Sequence, residues 1–206
     1  MNDIPLILDP MIRNALAEDI GAGDLTTDLI VEPGKSEAAS VIAQGGLSPL
    51  YVSEDVVGPI AADPAVAAAL PFQLFSVTTE DGSRTDIFMG VTEAIRRIKP
   101  DWTLAQGGWF TDDSSVILGA EIARLEQRQV GERIYSEHFQ REFTVSGILK
   151  RNYTQDDGTI FLPLGTAQRL VGREGKLSAV AVKLADISTL DATRAALRAR
   201  LPADYY

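Results

Sequence analysis

The sequence predicts an α+β fold in which helices pack on a sheet around a hairpin-rich insert. Two pairs of apolar runs, within residues 70–91 and 133–148, are typical of β-hairpins. Residues 177–201 then have the pattern of an alternating strand followed by an amphipathic helix. Because strand and helix also adjoin near the start of this region, we expect an α+β layer arrangement.

The predicted strands each have a local signal. Residues 70–79 and 84–91 flank Asp81-Gly82, and Asp-Gly between apolar runs is a strong hairpin signal. Residues 133–135 and 143–148 are predicted to pair across a turn that includes residues 138–140.

Further along the chain, residues 156–158 predict a turn that leads into a strand at 160–162. Residues 177–185 alternate and predict a strand with Val180, Val182 and Leu184 on one face.

Two helices are predicted from apolar spacing and capping residues. The first covers residues 114–126, with Ser114 or Ser115 as its N-cap. The second begins after Ser188, with Asp191 at its third position. Its buried stripe is formed by Leu190, Leu197 and Leu201, and its basic residues Arg194, Arg198 and Arg200 lie outside that stripe.

Composition and charge exclude several functions. With 206 residues, 45% hydrophobic and 23% charged, the chain has the composition of an ordinary globular protein. Its net charge of -10 disfavours nucleic acid and anionic membrane surfaces as partners. The absence of cysteine excludes disulfides and thiolate catalysis, and the single histidine, His138, excludes sites that need two imidazoles. The sequence as written predicts neither a membrane-spanning segment nor a secretory signal.

The chain divides into two parts near Gly45-Gly46. Residues 1–46 carry a net charge of -6 and the remainder carries -4. The first part predicts a helix that starts at Asp9-Pro10 and ends before Gly21, and a short strand at 38–43.

Several polar residues are candidates for chemistry, and each has a structural alternative. Asp112-Asp113 and Asp156-Asp157 have the composition of carboxylate pairs, but their positions predict turns. His138 is interpreted as a solvated turn residue rather than a general base. Residues 26–28 (Thr-Thr-Asp) are interpreted as a local cap or turn rather than a phosphate contact.

Three aromatic residues flank Gly107-Gly108 and are the candidates for a binding surface. An exposed aromatic patch marks a binding surface, whereas a buried one is core packing, and we predict the latter. The residues are Trp102, Trp109 and Phe110.

A series of short motifs runs through the second part of the chain. They are Ile60–Val66, Ile87–Val91, Gly107–Phe110, Val116–Ala123, Val130–Ile134, Phe143–Leu149, Ile160–Leu164 and Thr166–Leu170. In this order they resemble the periplasmic core domain of MacB-like and LolC/LolE-like ABC transporter permeases, over residues 47–206. Glu132 stands where the family more often has Asp. Pro59 interrupts the expected first helix, which is therefore predicted to be short or kinked.

The resemblance implies a fold, a location and partners. It implies a porter-like α/β subdomain with an inserted small β-rich subdomain, on the periplasmic side of the inner membrane between two transmembrane helices. Such a domain does no chemistry, and it transmits ATP-driven motion to an adaptor or substrate protein in export or lipoprotein release. The expected partners are the transporter ATPase, the adaptor or substrate protein and a second permease copy. We therefore assign no catalytic residue, no cofactor-binding residue and no metal ligand.

The first part resembles the N-terminal segment of quinolinate phosphoribosyltransferase. The resemblance depends on residues 12–21, 23–28 and 40–43. Because nothing matches the barrel that holds the catalytic residues of that enzyme, residues 1–46 are interpreted as a non-functional graft or fusion. A fragment of this enzyme of NAD biosynthesis and a free-standing periplasmic binding module are the alternative functions.

Overall fold

The protein is described as a computed structural model for residues 40–44, 51–79 and 82–201, with only the backbone of 40–44. The strands are β1 Ser40–Gln44, β2 Val52–Ser53, β3 Val66–Thr78, β4 Thr85–Val91, β5 Leu104–Gly107, β6 Ser115–Leu118, β7 Arg133–Ser136, β8 Arg141–Leu149, β9 Thr159–Pro163, β10 Lys176–Leu177 and β11 Ala179–Leu184. The helices are α1 Val57–Ala61, α2 Ile95–Ile98, α3 Ala120–Leu125, α4 Leu164–Leu170 and α5 Leu190–Arg200. Short 3-10 helices cover Glu54–Val56, Gln155–Gly158 and Ile187–Thr189.

Nine of the described strands form one mixed sheet. Its order is β1-β11-β3-β4-β9-β6-β8-β5, and β7 pairs with β8. The pairs β4–β9 and β6–β8 are parallel, and the other pairs of this sheet are antiparallel. Strands β2 and β10 form a separate two-stranded ribbon. The fold therefore combines a mixed sheet with a few helices, which confirms the predicted α+β class.

Strand β3 joins two sections of this sheet. Its residues Val66–Phe72 pair with β11, whereas Gln73–Thr78 pair with β4. We call β3 up to Phe72 together with β11, α1 and α5 the α/β part, and β4 through β9 the β-rich part. The β-rich part is an insertion, because its residues lie between β3 and β11 in the chain.

Three groups of buried side chains form the core. One lies among α1, α5 and β11 and includes Ile60, Val180 and Leu197. A second group contains Phe161 together with Leu70 of β3, so it extends across both parts of the domain. The third lies against β4, β6, β8 and β9 and contains Leu162. Phe161 and Leu162 are adjacent in β9 and belong to different groups, because successive side chains of a strand point to opposite faces. The central strands are thus buried on both faces.

Both predicted hairpins are confirmed. Strands β3 and β4 pair from Gln73↔Gly90 to Thr78↔Thr85, and Gly82 adopts a left-handed φ of 69° in the turn. Strands β7 and β8 pair around residues 137–140. The predicted turn at 156–158 lies in the 3-10 helix Gln155–Gly158 and leads into β9. Strand β11 places Val180, Val182 and Leu184 in one buried group.

The prediction of a helix over 114–126 is wrong in its first half. Residues Ser115–Leu118 form strand β6, and the helix covers only Ala120–Leu125. All four residues of β6 are buried, since the strand lies between β8 and β9 with both faces covered. Such a strand has a continuous apolar run without alternation, which is easily assigned to a helix.

The predicted N-cap at Ser188 is also wrong. Asp186 accepts a hydrogen bond from the backbone N–H of Ser188 at 2.9 Å, which starts the 3-10 turn Ile187–Thr189. Helix α5 begins only at Leu190. Its predicted apolar stripe is confirmed, because Leu197 is buried in the core group under α5 and Leu190 and Leu201 are partly buried against that group.

The beginning of the chain is described only in part. The predicted strand at 38–43 is present as β1, which pairs with β11 over five residues from Ser40↔Lys183 to Gln44↔Ala179. The predicted helix at 9–20 lies outside the described residues. Helix α1, which contains Pro59, has five residues and is short as expected. Among the described residues, no helix combines the length and apolarity that a membrane span requires.

Candidate interaction sites

A shallow cavity lies at the carboxyl ends of two parallel strands. Strands β4 and β9 end opposite each other at Val91↔Pro163. In open α/β sheets, ligands bind in crevices outside the carboxyl ends of strands. The cavity has a volume of about 250 Å³ and is open to solvent. Its lining consists of Val91, Thr92, Glu93, Trp109, Phe110, Thr111, Asp112, Asp113 and Pro163.

Aromatic rings connect this cavity to the core. The Trp102 ring lies 5.3 Å from Phe161 and 5.6 Å from Trp109, and Trp109 lies 4.7 Å from Phe110, all measured between ring centroids. The Arg96 guanidinium lies 5.6 Å from the centroid of Trp109. Trp102 is buried, which confirms the prediction of core packing. Trp109 and Phe110 are half-buried, so they pack on the core and also line the cavity.

The two aspartates at the rim of the cavity stabilise a turn. One carboxylate oxygen of Asp112 accepts from the Ser114 N–H at 2.8 Å and from the hydroxyls of Ser114 and Ser115 at 2.7 and 3.1 Å. The Ser114 hydroxyl and then its N–H lower the pKa of Asp112 below its ordinary value. Asp113 pairs with Arg169 at 2.6 Å. The interpretation of this pair as turn residues is therefore confirmed.

The second aspartate pair is buried and stabilises a loop. Asp156 forms an ion pair with Lys99, whose Nζ lies 2.7 and 2.9 Å from the two carboxylate oxygens. Asp157 accepts hydrogen bonds from the N–H groups of Asn152 and Tyr153 at 3.1 and 2.8 Å. The prediction of a turn is correct, but the sequence did not indicate that both carboxylates are buried.

This loop presents an exposed aromatic residue that sequence reasoning missed. Tyr153 is 87% exposed and adopts a left-handed φ of 61°. The Arg151 guanidinium lies 5.7 Å from the centroid of the Tyr153 ring. A signal was present in the sequence, because Asn152 and Thr154 are residues that form local side-chain hydrogen bonds. Asn152 does accept from the N–H and the hydroxyl of Thr154, at 3.1 and 2.8 Å.

The remaining candidates do not come together into one site. His138 is exposed at the turn between β7 and β8, as expected, with its ring edge-on to Phe139. Residues 26–28 lie outside the described residues. Within 51–79 and 82–201, no cluster of three acidic or histidine side chains has the arrangement of a metal site.

Fold and sites together define an α/β domain that offers shallow surfaces and an exposed loop to its surroundings. The model of the MacB-like periplasmic core domain matches residues 11–200, and the chain belongs to this family. It is an extracytoplasmic domain of a MacB-like ABC transporter permease. No curated protein matches the chain.

Two solved structures have a similar fold. The periplasmic region of MacB from Actinobacillus actinomycetemcomitans is 14% identical, with a TM-score of 0.63 over 81% of this chain and 86% of that one. The extracellular domain of the noncanonic ABC-type transporter YknZ from Gram-positive bacteria is also 14% identical, with a TM-score of 0.63 over 81% of this chain and 97% of that one. At this identity the likeness concerns the fold.

The comparisons give no support to the phosphoribosyltransferase resemblance. The family match begins at residue 11 and therefore runs through most of the segment that resembled the enzyme. Strand β1, which lies in the same segment, pairs with β11 of the family domain.

Proposed function

We propose that this domain couples ATP-driven motion of its permease to contact with an adaptor or substrate protein outside the membrane, in export or lipoprotein release. The permease acts as a homodimer together with its ATPase. The observation that carries the proposal is the change of partner strands along β3. A displacement of the α/β part reaches the β-rich part along one continuous strand.

The junction between the two sections contains a buried polar contact. Gln73 is fully buried, and its amide nitrogen lies 3.0 Å from the Ser178 hydroxyl. That hydroxyl also accepts from the Leu74 N–H at 2.9 Å and lies 3.1 Å from the Leu74 carbonyl oxygen. Ser178 therefore binds β3 at Gln73 and Leu74, one and two residues beyond the point where its pairing with β11 ends. This contact supports a junction with a defined geometry rather than a loose linker.

Distance measurements between spin labels test the coupling. The chain contains no cysteine, so cysteines introduced into this domain are labelled at chosen positions. Ala195 lies exposed on α5 in the α/β part, and Glu137 lies exposed at the tip of the β7–β8 hairpin. We expect the Ala195→Cys/Glu137→Cys pair, in the reconstituted permease with its ATPase, to change its distance distribution when ATP is added.

A control pair lies within one part of the domain. Ala62 follows α1 and is exposed, as is Ala195, so the Ala62→Cys/Ala195→Cys pair reports on the α/β part alone. Its distribution should stay unchanged on addition of ATP. An unchanged distribution for both pairs, in a preparation that hydrolyses ATP, would refute the proposed coupling.

A further inference from the structure

Tyr153 combines high exposure with a strained backbone. It is the most exposed of the large hydrophobic and aromatic residues in the described part of the chain. Its φ of 61° lies in the left-handed region, which is unfavourable for an L-residue other than glycine, asparagine or aspartate. Residues keep such a conformation only when the surrounding structure determines it, and they cluster at functional sites.

The surrounding structure does determine this conformation. The buried carboxylate of Asp157 accepts hydrogen bonds from two consecutive N–H groups, at Asn152 and Tyr153. The Thr154 hydroxyl accepts from the Asp156 N–H at 3.2 Å, and Asp156 is in turn bound to Lys99. The loop therefore holds the backbone of Tyr153 in one conformation, while its ring lies on the surface and not in the core.

Helix α3 extends the surface around this ring. Glu121 forms ion pairs with Arg124 and with Arg151, whose guanidinium lies over Tyr153. Leu125 is 63% exposed and lies four residues after Glu121, hence on the same side of the helix. We call these five residues, Glu121, Arg124, Leu125, Arg151 and Tyr153, the Tyr153 surface.

The charge of the Tyr153 surface is opposite to that of the chain. Arg124 and Arg151 are both exposed, with 60% and 44% of their side chains accessible, and their shared partner Glu121 is the one acidic residue of the surface. Lys150, next to Arg151, is exposed as well. The chain as a whole carries -10. A basic surface on an acidic protein attracts an acidic partner selectively, because the rest of the surface repels it.

We propose that the Tyr153 surface is the docking site for a protein partner that presents carboxylates around an apolar recess. Tyrosine and arginine are the side chains that dominate binding energy at protein interfaces, and a tyrosine whose backbone is fixed by its loop loses little backbone entropy on binding. An anionic lipid surface would meet the same arginines, but it would also meet the net charge of -10, which opposes adsorption. The inference rests on the proposed function, since the partner is the adaptor or substrate protein.

Photo-crosslinking in cells tests the docking site. The photoreactive amino acid p-benzoylphenylalanine replaces Tyr153 in the complete permease, and Tyr135 in a matched control. Tyr135 is 57% exposed on β7 and lies outside the Tyr153 surface. We expect a discrete protein adduct from position 153 and none from 135, with the crosslinked partner peptide rich in Asp and Glu. Arg151→Glu should reduce the adduct about tenfold or more.

Other adducts would overturn the proposal. These are an adduct to lipid, an adduct to a second permease copy, no adduct, or an adduct whose yield does not change with Arg151→Glu. If ATP still changes the distance between the labels at 137 and 195, the proposed coupling stands while the docking site fails. An adduct from position 153 without any change of that distance would support the docking site and refute the proposed coupling.

Two variants separate binding from folding. With the purified partner identified by the adduct, Tyr153→Ala should raise the Kd about 30-fold or more, whereas Tyr135→Ala should leave it nearly unchanged. Tyr153→Gly should raise the Kd equally but leave the Tm unchanged or higher, because glycine adopts a positive φ without strain. A clearly lower Tm for Tyr153→Gly, with an unchanged Kd, would assign Tyr153 a structural role instead.

Discussion

Gly119 occupies a position where a side chain has no space. It precedes α3, and its N–H donates to the Thr159 carbonyl oxygen at 2.9 Å. A Cβ atom at this position would lie 2.2 Å from the Asp156 carbonyl oxygen and 2.4 Å from that of Asp157. Both obstacles are backbone atoms, which do not move aside as a flexible side chain would. Gly119→Ala must therefore separate α3 from the 3-10 helix Gln155–Gly158.

The expected loss of stability follows from this overlap. Overpacking a well-packed region costs about 1–3 kcal/mol of stability. Because the obstacles are backbone atoms, we expect Gly119→Ala to lower the free energy of unfolding by about 3 kcal/mol. For a protein of this size, that corresponds to a Tm about 6–12 °C lower. The same displacement would disturb the ion pair between Lys99 and Asp156 and the bonds that Asp157 makes to the Tyr153 loop. Urea unfolding, followed by circular dichroism, measures the change.

Gly158→Ala is the matched control. It lies in the same 3-10 helix, has no positive φ, and a Cβ atom there would meet nothing within 4 Å. Its free energy of unfolding should stay within about 0.5 kcal/mol of the wild type. If Gly119→Ala were equally neutral, α3 would not contact the 155–158 turn as described. If both variants were strongly destabilised, the steric overlap at Gly119 would not be the cause, because Gly158 has no such overlap.

Three further predictions concern Trp102 in the core, Asp112 at the rim of the cavity, and strand β1. Trp102→Ala should lower the free energy of unfolding by about 3–5 kcal/mol in urea, while His138→Ala stays within about 0.5 kcal/mol. The pKa of Asp112 is lowered on folding, so its contribution to stability is present above the unfolded pKa of about 3.9 and is lost as the pH falls through the folded pKa. Asp112→Asn should remove that part of the acid dependence in urea unfolding at different pH values, and an unchanged dependence would contradict this assignment. Amides of Ser40–Gln44 that bind β11 should exchange more slowly with deuterium than an unstructured peptide. Exchange at the peptide rate would instead support a division of the chain near Gly46.

Local signals predicted the hairpins, but not the features that depend on distant residues. Asp81-Gly82 lies between two alternating runs, so turn chemistry and periodicity agreed on the first hairpin. Strand β6 was assigned to a helix because both of its faces are buried, with Ile117 in one core group and Val116 and Leu118 in the other, which removes the alternation. No short window of sequence contains that information.

The same limit applies to the candidate sites. Turn propensity correctly assigned Asp156 and Asp157, but the burial of Asp156 depends on Lys99, which is 57 residues away in sequence. Tyr153 was missed because its left-handed φ is stabilised by the side chain of Asp157, and residue type alone does not indicate a positive φ for tyrosine. Trp102 was assigned correctly to the core, since large aromatic residues are mostly packed in cores.

The junction at Gln73 links stability to the proposed coupling. Its side-chain oxygen is buried and has no hydrogen-bond partner among the described residues, which is costly for a polar atom. A leucine at this position would avoid that cost but would also lose the bond to Ser178. Gln73 therefore aligns β3 against Ser178 at the cost of one unpaired buried oxygen. Because the pairing with β11 ends at Phe72 and the pairing with β4 begins at Gln73, the proposed coupling requires this alignment to persist when one section is displaced against the other.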